Sequence, residues 1–225
     1  TALLNGRLQA SMSLIVGVTI LSTVVGVAIG TFGARRGRIG KVVDGGSIIG
    51  LAIPDFWFGL LLIVVFAVNL GWFPPTGYEP IGAGVGDWLR SITLPVVTLA
   101  VPASAVIAKQ TRDAMSTALG GEYVRTLRAA GVGERSIVLR HALRNAAIPI
   151  LTVVGLVFVG ALAGTVAVES VFAIQGLGTA AVQATANRDL PMIQGVVVYF
   201  TLIVIVANLL IDLAYSYFDP RVRSS

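Results

Sequence analysis

The residues able to do chemistry are few and scattered. One histidine, His141, and no cysteine occur in 225 residues, which excludes disulfides, thiolate metal sites and a cysteine nucleophile. His141 has no companion at metal-ligand spacing, so packing or a partner contact outweighs a ligand role. The acids form no paired carboxylates. Asp55 stands out because it lies inside a long apolar run, where an ionisable group is costly and marks a functional site by default. Two readings stay open for it. It faces a pathway and meets a substrate ammonium, or it is a structural charge, paired or reached by cavity water beside Pro54. Glu169 and Asp212 lie near the ends of apolar runs, where headgroups or water can solvate them, so neither is given a role. Most of the remaining polarity is gathered in "EYVRTLRAAGVGERSIVLRHALRN", residues 122–145, with five arginines, two glutamates and His141.

The elements that carry these residues are set by composition. The chain is 56% hydrophobic and 12% charged, with a mean hydropathy of +0.88. Soluble domains carry about twice that share of charge, so bilayer is the expected solvent. A membrane-crossing helix needs about 20 apolar residues, and five runs qualify: 10–32, 46–71, 92–114, 149–172 and 193–217. Three glycine pairs, Gly26 and Gly30, Gly46 and Gly50, Gly160 and Gly164, have the small-xxx-small spacing that permits close helix approach in lipid. Pro54, Pro95 and Pro102 are expected to kink or interrupt their helices.

Charge gives the orientation. If the spans alternate, thirteen of the sixteen Lys and Arg residues fall on one side. They are Arg35, Arg36, Arg38, Lys41, Lys109, Arg112, Arg125, Arg128, Arg135, Arg140, Arg144, Arg221 and Arg223. By the positive-inside rule that side is cytoplasmic. Trp72 and Trp88 then mark outer span ends, and Tyr215 and Tyr217 the inner end of the last span. An outside N-terminus without an export signal points to a sixth, leading span beyond this sequence. The net charge of +5 belongs to cytoplasmic loops rather than to nucleic-acid binding.

Segment 122–145 is therefore a cytoplasmic connection. Tyr123, Val124, Leu127 and Ala130 recur at helical spacing. Gly131 suits the left-handed position that ends a helix. Glu134 suits the first turn of the next. In that second helix Ser136, Arg140 and Arg144 share one face, and Val138, Leu139, Ala142, Leu143 and Ala146 another. A helix, glycine elbow and helix are expected beneath the membrane. They serve either to dock a partner or to lie on anionic lipid.

These residues carry a resemblance. The segment is similar to the EAA loop of ABC importer permeases, closest in wording to the dipeptide/oligopeptide branch. The family's Glu-Ala-Ala stands six residues before a glycine; here Arg125, Thr126 and Leu127 fill those places before Gly131. "IPDFWFGLLLIVVFAVNLGWFPPTGY" at 53–78 resembles a block of the first-type subunit of the permease pair. "VESVFAIQGLG" at 168–178 and "DPRVR" at 219–223 match later blocks. The family often has serine where Gly133 and Asp55 stand.

The resemblance implies an all-α polytopic fold, the type I ABC importer transmembrane domain, over residues 1–225, with 115–148 as its cytoplasmic coupling segment. It implies a prokaryotic cytoplasmic membrane with the C-terminus inside. The implied partners are a second homologous permease subunit, two cytoplasmic ATPase subunits or domains, and an extracytoplasmic substrate-binding protein, besides lipid. Arg125, Thr126, Leu127, Arg128, Ala129, Ala130, Gly131 and Val132 would couple to the ATPase, and Asp55 would line the pathway. ATP and Mg would sit on the partners, with no cofactor and no catalysis here. The chain holds no G-x-x-x-x-G-K-[ST] phosphate loop of its own; "GRIGKV" at 37–42 lacks the first glycine's spacing and the hydroxyl. The implied cargo is di- or oligopeptide. The alternatives are another cargo (haem, nickel, glutathione) on the same architecture, or a gated channel needing no ATPase.

Overall fold

Long apolar runs become long helices, because in hydrocarbon every backbone N–H and C=O must be satisfied within its own segment. The computed structural model describes residues 2–35, 40, 45–46 and 53–218. The helices of eight residues or more among them are α1 (Ala2–Arg35), α2 (Asp55–Asn69), α3 (Val85–Leu119), α4 (Glu122–Ala129), α5 (Glu134–Val171), α6 (Leu177–Ala186) and α7 (Leu190–Phe218). No strand occurs among the described residues. Stretches of α1, α3, α5 and α7 are long and apolar enough to cross a membrane, and α2 is a shorter apolar helix. The expected spans 10–32, 92–114, 149–172 and 193–217 fall on those four. The expected span 46–71 is described in full only from Ile53. Arg36, Arg38, Lys41, Gly50, Arg221, Arg223 and "DPRVR" lie outside the described residues.

One expectation is corrected. Pro95 and Pro102 do not interrupt their helix; α3 runs unbroken through both for 35 residues. Each proline removes one hydrogen bond, whereas abandoning the helix in lipid would orphan many. Pro54 instead precedes a helix, in extended conformation (φ −65°, ψ 131°) immediately before Asp55.

The chain forms two compact units. The first comprises Thr1–Leu21, Ile53–Pro102 and Val157–Ala207. Its buried apolar residues include Leu14, Ile15 and Val18 of α1, Leu94 and Leu99 of α3, Val168 of α5, and Phe172, Ile174 and Leu177 beyond it. Ser13 ties α1 to the loop at Tyr78 and to the start of α3, 3.1 Å from the Tyr78 hydroxyl and accepting from the Trp88 indole at 3.3 Å.

The second unit comprises Ser22–Ala52, Ala103–Leu156 and Asn208–Ser225. Here Met115 of α3 packs with Val138, Ala142, Ala146 and Ile150 of α5, flanked by Val27 and Ala34 of α1. Of the glycine pairs, Gly26 and Gly30 are a contact face. A methyl at Gly26 would stand 2.7 Å from Ile107 Cβ, and one at Gly30 2.5 Å from the Ala108 carbonyl. Gly46 and Gly160 have open space beside them, whereas a methyl at Gly164 would stand 3.0 Å from a Leu99 methyl.

Much of α7 remains bare. Val197, Val198, Leu202, Ile205, Val206, Leu209, Leu210 and Leu213 are each more than half exposed. A water-facing monomer rarely shows an apolar stripe of that size; lipid or another apolar chain is its natural surroundings.

Candidate functional site

The elbow forms where the sequence expects it. Glu122 opens α4 in its first turn, where a carboxylate suits the positive end of the helix dipole. The helix ends in a Schellman motif. The Gly131 N–H donates to the Arg128 carbonyl at 3.0 Å, and the Val132 N–H to the Leu127 carbonyl at 3.0 Å. That geometry requires a left-handed residue, and Gly131 supplies it at φ +77°. Gly133, extended at φ −63° and ψ 141°, caps α5, and Glu134 occupies its first turn. Glu134 also grips Arg128 across the turn, with Nε 2.5 Å and Nη2 3.2 Å from the carboxylate oxygens. This hydrogen bond raises the Arg128 pKa above its already high ordinary value.

The eight residues expected at the coupling site form one knuckle. Arg125, Thr126, Arg128, Ala129, Ala130 and Gly131 are exposed, while Leu127 and Val132 are half-buried. Of the expected apolar face, only Val124 is fully buried; Ala130 is open and Tyr123 half-buried. The face of the second helix shifts as well. Ile137 and Val138 are buried, and Leu139 is 50% exposed rather than inward. The cause is a π-helical stretch, Ile137–Ala142. Its i→i+5 turns advance by a smaller angle per residue than an α-helix, so Ile137 takes the inward place.

Asp55 stands at the start of α2 rather than in mid-helix, half-buried. Its carboxylate has no hydrogen bond or ion pair among the described residues. Part of its charge is balanced by the α2 N-terminus. His141 lines a cleft with Arg140 and Arg144, and no group of metal-ligating side chains occurs among the described residues. Lys109 pairs with Asp113 at 3.0 Å, and Arg112 is 3.8 Å from the same carboxylate.

Sequence reasoning missed Glu169. It is not solvated at a span end; it is fully buried. Its carboxylate accepts from the Ser11 hydroxyl at 2.6 Å and the Thr179 N–H at 2.8 Å, and also from the Gly178 backbone. Ser11 accepts in turn from the Leu177 N–H at 2.8 Å. The carboxylate therefore seals the N-terminus of α6, where orphan N–H groups and the dipole favour a negative charge. A signal was present in "GLG": a side chain at Gly176 would collide with Glu169, and one at Gly178 with the Val166 backbone. A second concave feature, about 620 Å³, is lined by Trp72, Phe73, Glu79, Asp87 and Arg90, among others.

The family model for the binding-protein-dependent transport system inner membrane component matches residues 22–224. The chain belongs to this family. It is 42% identical over 223 residues to a probable peptide ABC transporter permease protein of Sinorhizobium fredii, covering 98% of this chain and 71% of that one. It is 41% identical over 207 residues to a glutathione transport system permease protein of Pectobacterium atrosepticum, covering 90% and 64%. In fold it matches a chain of the inward-facing MetNI methionine ABC transporter, with a TM-score of 0.79, 97% coverage of both chains and 16% identity. The fold is that of a type I ABC importer transmembrane domain, and the chain is an inner-membrane permease subunit of a binding-protein-dependent transporter.

Proposed function

We propose that this permease subunit forms half of a peptide translocation pathway and that its Glu122–Val132 elbow seats a cytoplasmic ATPase. The observation that carries the coupling role is the knuckle itself. Six of its eight residues are exposed, yet its backbone is fixed by the Schellman bonds and by the Arg128–Glu134 grip. A rigid, small-residue projection can enter a shallow groove and transmit a push. The helix it caps leads into α5, and α3 leads into it, so movement at the knuckle acts on two spans. Hydrolysis belongs to the partner subunits, with ATP and Mg bound there. A second homologous subunit completes the pathway, and an extracytoplasmic binding protein delivers cargo. The C-terminus is cytoplasmic.

Peptide cargo is supported by the name of the Sinorhizobium relative; the glutathione relative supports the alternative of a small modified peptide. Asp55 suits a pathway role because it is half-buried and has no partner among the described residues, able to meet a cargo ammonium.

The test is ATP hydrolysis by the intact importer in liposomes with its binding protein, measured against dipeptides, longer peptides, glutathione, haem and nickel. Peptides are expected to stimulate hydrolysis several-fold. Stimulation by haem or nickel alone would overturn the peptide reading. Cargo flux with no ATPase in the purified complex would replace it with a gated channel. Orientation has its own check: a cysteine at Gly133 should label only from the cytoplasm and one at Gly84 only from outside. Labelling of the Gly84 position from the cytoplasm would reverse the assignment.

A further inference from the structure

Behind the knuckle lies a cleft of about 490 Å³, lined by Tyr123, Ser136, Arg140, His141, Arg144 and Asn145. Its chemistry is one-sided. No carboxylate lines it, and neither arginine has an ion pair among the described residues. The Tyr123 hydroxyl is buried and has no hydrogen-bond partner among the described residues. A buried hydroxyl left unpaired is costly, and the two guanidiniums that line the same cleft add positive potential. All six residues can donate hydrogen bonds. The missing counterpart is a compact anion with several acceptor oxygens, which describes a phosphate group.

Position selects the source. Arg144 and Asn145 directly precede the apolar run that begins at Ala146, within a helix long and apolar enough to span. The cleft therefore stands at the depth of headgroups. The π-helical stretch Ile137–Ala142 brings Ser136, then Arg140 and His141, then Arg144 and Asn145 to the same cleft on successive turns. Basic pockets at the cytoplasmic end of membrane helices are suited to anionic headgroups. We propose that this cleft binds the phosphate of an anionic phospholipid, fixing the base of the elbow to the membrane surface while the knuckle stays free. The exposed residues Arg125, Arg128 and Gly131 do not line it, so lipid and a docked protein can be held together. The proposal does not depend on the cargo.

The test uses the intact importer in mild detergent, titrated with fluorescently labelled phosphatidylglycerol or phosphatidylcholine. Phosphatidylglycerol should bind about tenfold tighter or more, because the same phosphate in phosphatidylcholine carries a quaternary ammonium that the two cleft arginines repel. Arg140→Gln with Arg144→Gln should abolish the preference. Tyr123→Phe keeps the ring and so the packing; it should weaken phosphatidylglycerol by about threefold, which keeps the test open if the double variant does not fold. Arg135→Gln, exposed and outside the cleft, should change nothing. Equal binding of the two lipids, or a preference that survives the arginine changes and Tyr123→Phe, overturns the proposal. Competition with millimolar inorganic phosphate separates the sources. If phosphate binds in an Arg140-dependent way while the lipids do not differ, the cleft takes a soluble phosphate and the lipid assignment fails.

Discussion

Two helix ends in this chain are turned by the same hydrogen bonds and serve opposite purposes. At Gly131, the Val132 N–H reaches the Leu127 carbonyl; at Ala173, the Ile174 N–H reaches the Glu169 carbonyl at 2.8 Å. Both turns need a left-handed residue, at φ +77° and +50°. The first uses glycine and is exposed around it. The second carries alanine between Phe172 and Ile174, both almost fully buried; a further, exposed turn of the same kind carries Arg188 at φ +56°. Polar groups divide in the same way. Glu169 has its carboxylate engaged by a hydroxyl and the first amides of α6, whereas Arg125, Thr126 and Arg128 face outward. A satisfied buried charge builds the fold. An ordered, exposed knuckle, whose Thr126 and Arg128 bond, among the described residues, only to Glu122 and Glu134 of the same segment, is a surface prepared for something else.

The largest effect expected from this contrast is at Glu169. Glu169→Ala leaves the Ser11 hydroxyl proton and the α6 amides without their acceptor in a buried site, at a cost on the order of 3 kcal/mol or more. The subunit should lose thermal stability and assemble poorly, as measured by melting of the purified complex. Normal melting would mean that the closed turn is not structural.

Asp55 lies between the two cases, half-buried and without a partner among the described residues. Asp55→Asn should lower transport by about tenfold, the worth of one charge contact with an ammonium, while assembly and melting stay unchanged. A stability loss with unchanged specific transport would move Asp55 to the structural side of the comparison.

The smallest effect is at Ala173. Ala173→Gly relieves left-handed strain of roughly 1 kcal/mol, partly offset by glycine's greater freedom when unfolded. A small rise in melting temperature, with unchanged transport, is expected. A clear fall would show that the strain argument is wrong.

What could be read from sequence depended on how far apart the partners lie. The elbow was legible because its parts are local: Gly131 ends one helix, Glu134 starts the next, and both follow from neighbours a few residues away. The four long spans were legible from their apolar length. Glu169 was not, because its key partner, Ser11, is 158 residues away, and a carboxylate near a span end looks solvated until that partner is known. Leu139 was misplaced because the expected face assumed α-helical turns where the backbone is π-helical. An interruption at Pro95 and Pro102 does not occur, because the rule for water-exposed helices underweights how strongly lipid enforces helical hydrogen bonding.

The central claim is that the open turn transmits the ATPase's movement. Gly131 has empty space around its Cα, so a side chain there meets no wall and acts through backbone strain and charge alone. Gly131→Asp adds roughly 1 kcal/mol of left-handed strain and a negative charge on the knuckle. The subunit should still insert and pair with its homologue. The most direct measurement is ATP hydrolysis by the reconstituted importer, with and without peptide-loaded binding protein, for the natural chain and for Gly131→Asp. The account predicts that the variant loses the ATPase, or retains hydrolysis that no longer responds to peptide. Normal peptide-stimulated hydrolysis and transport by Gly131→Asp would contradict it and leave the segment as a lipid-surface element only.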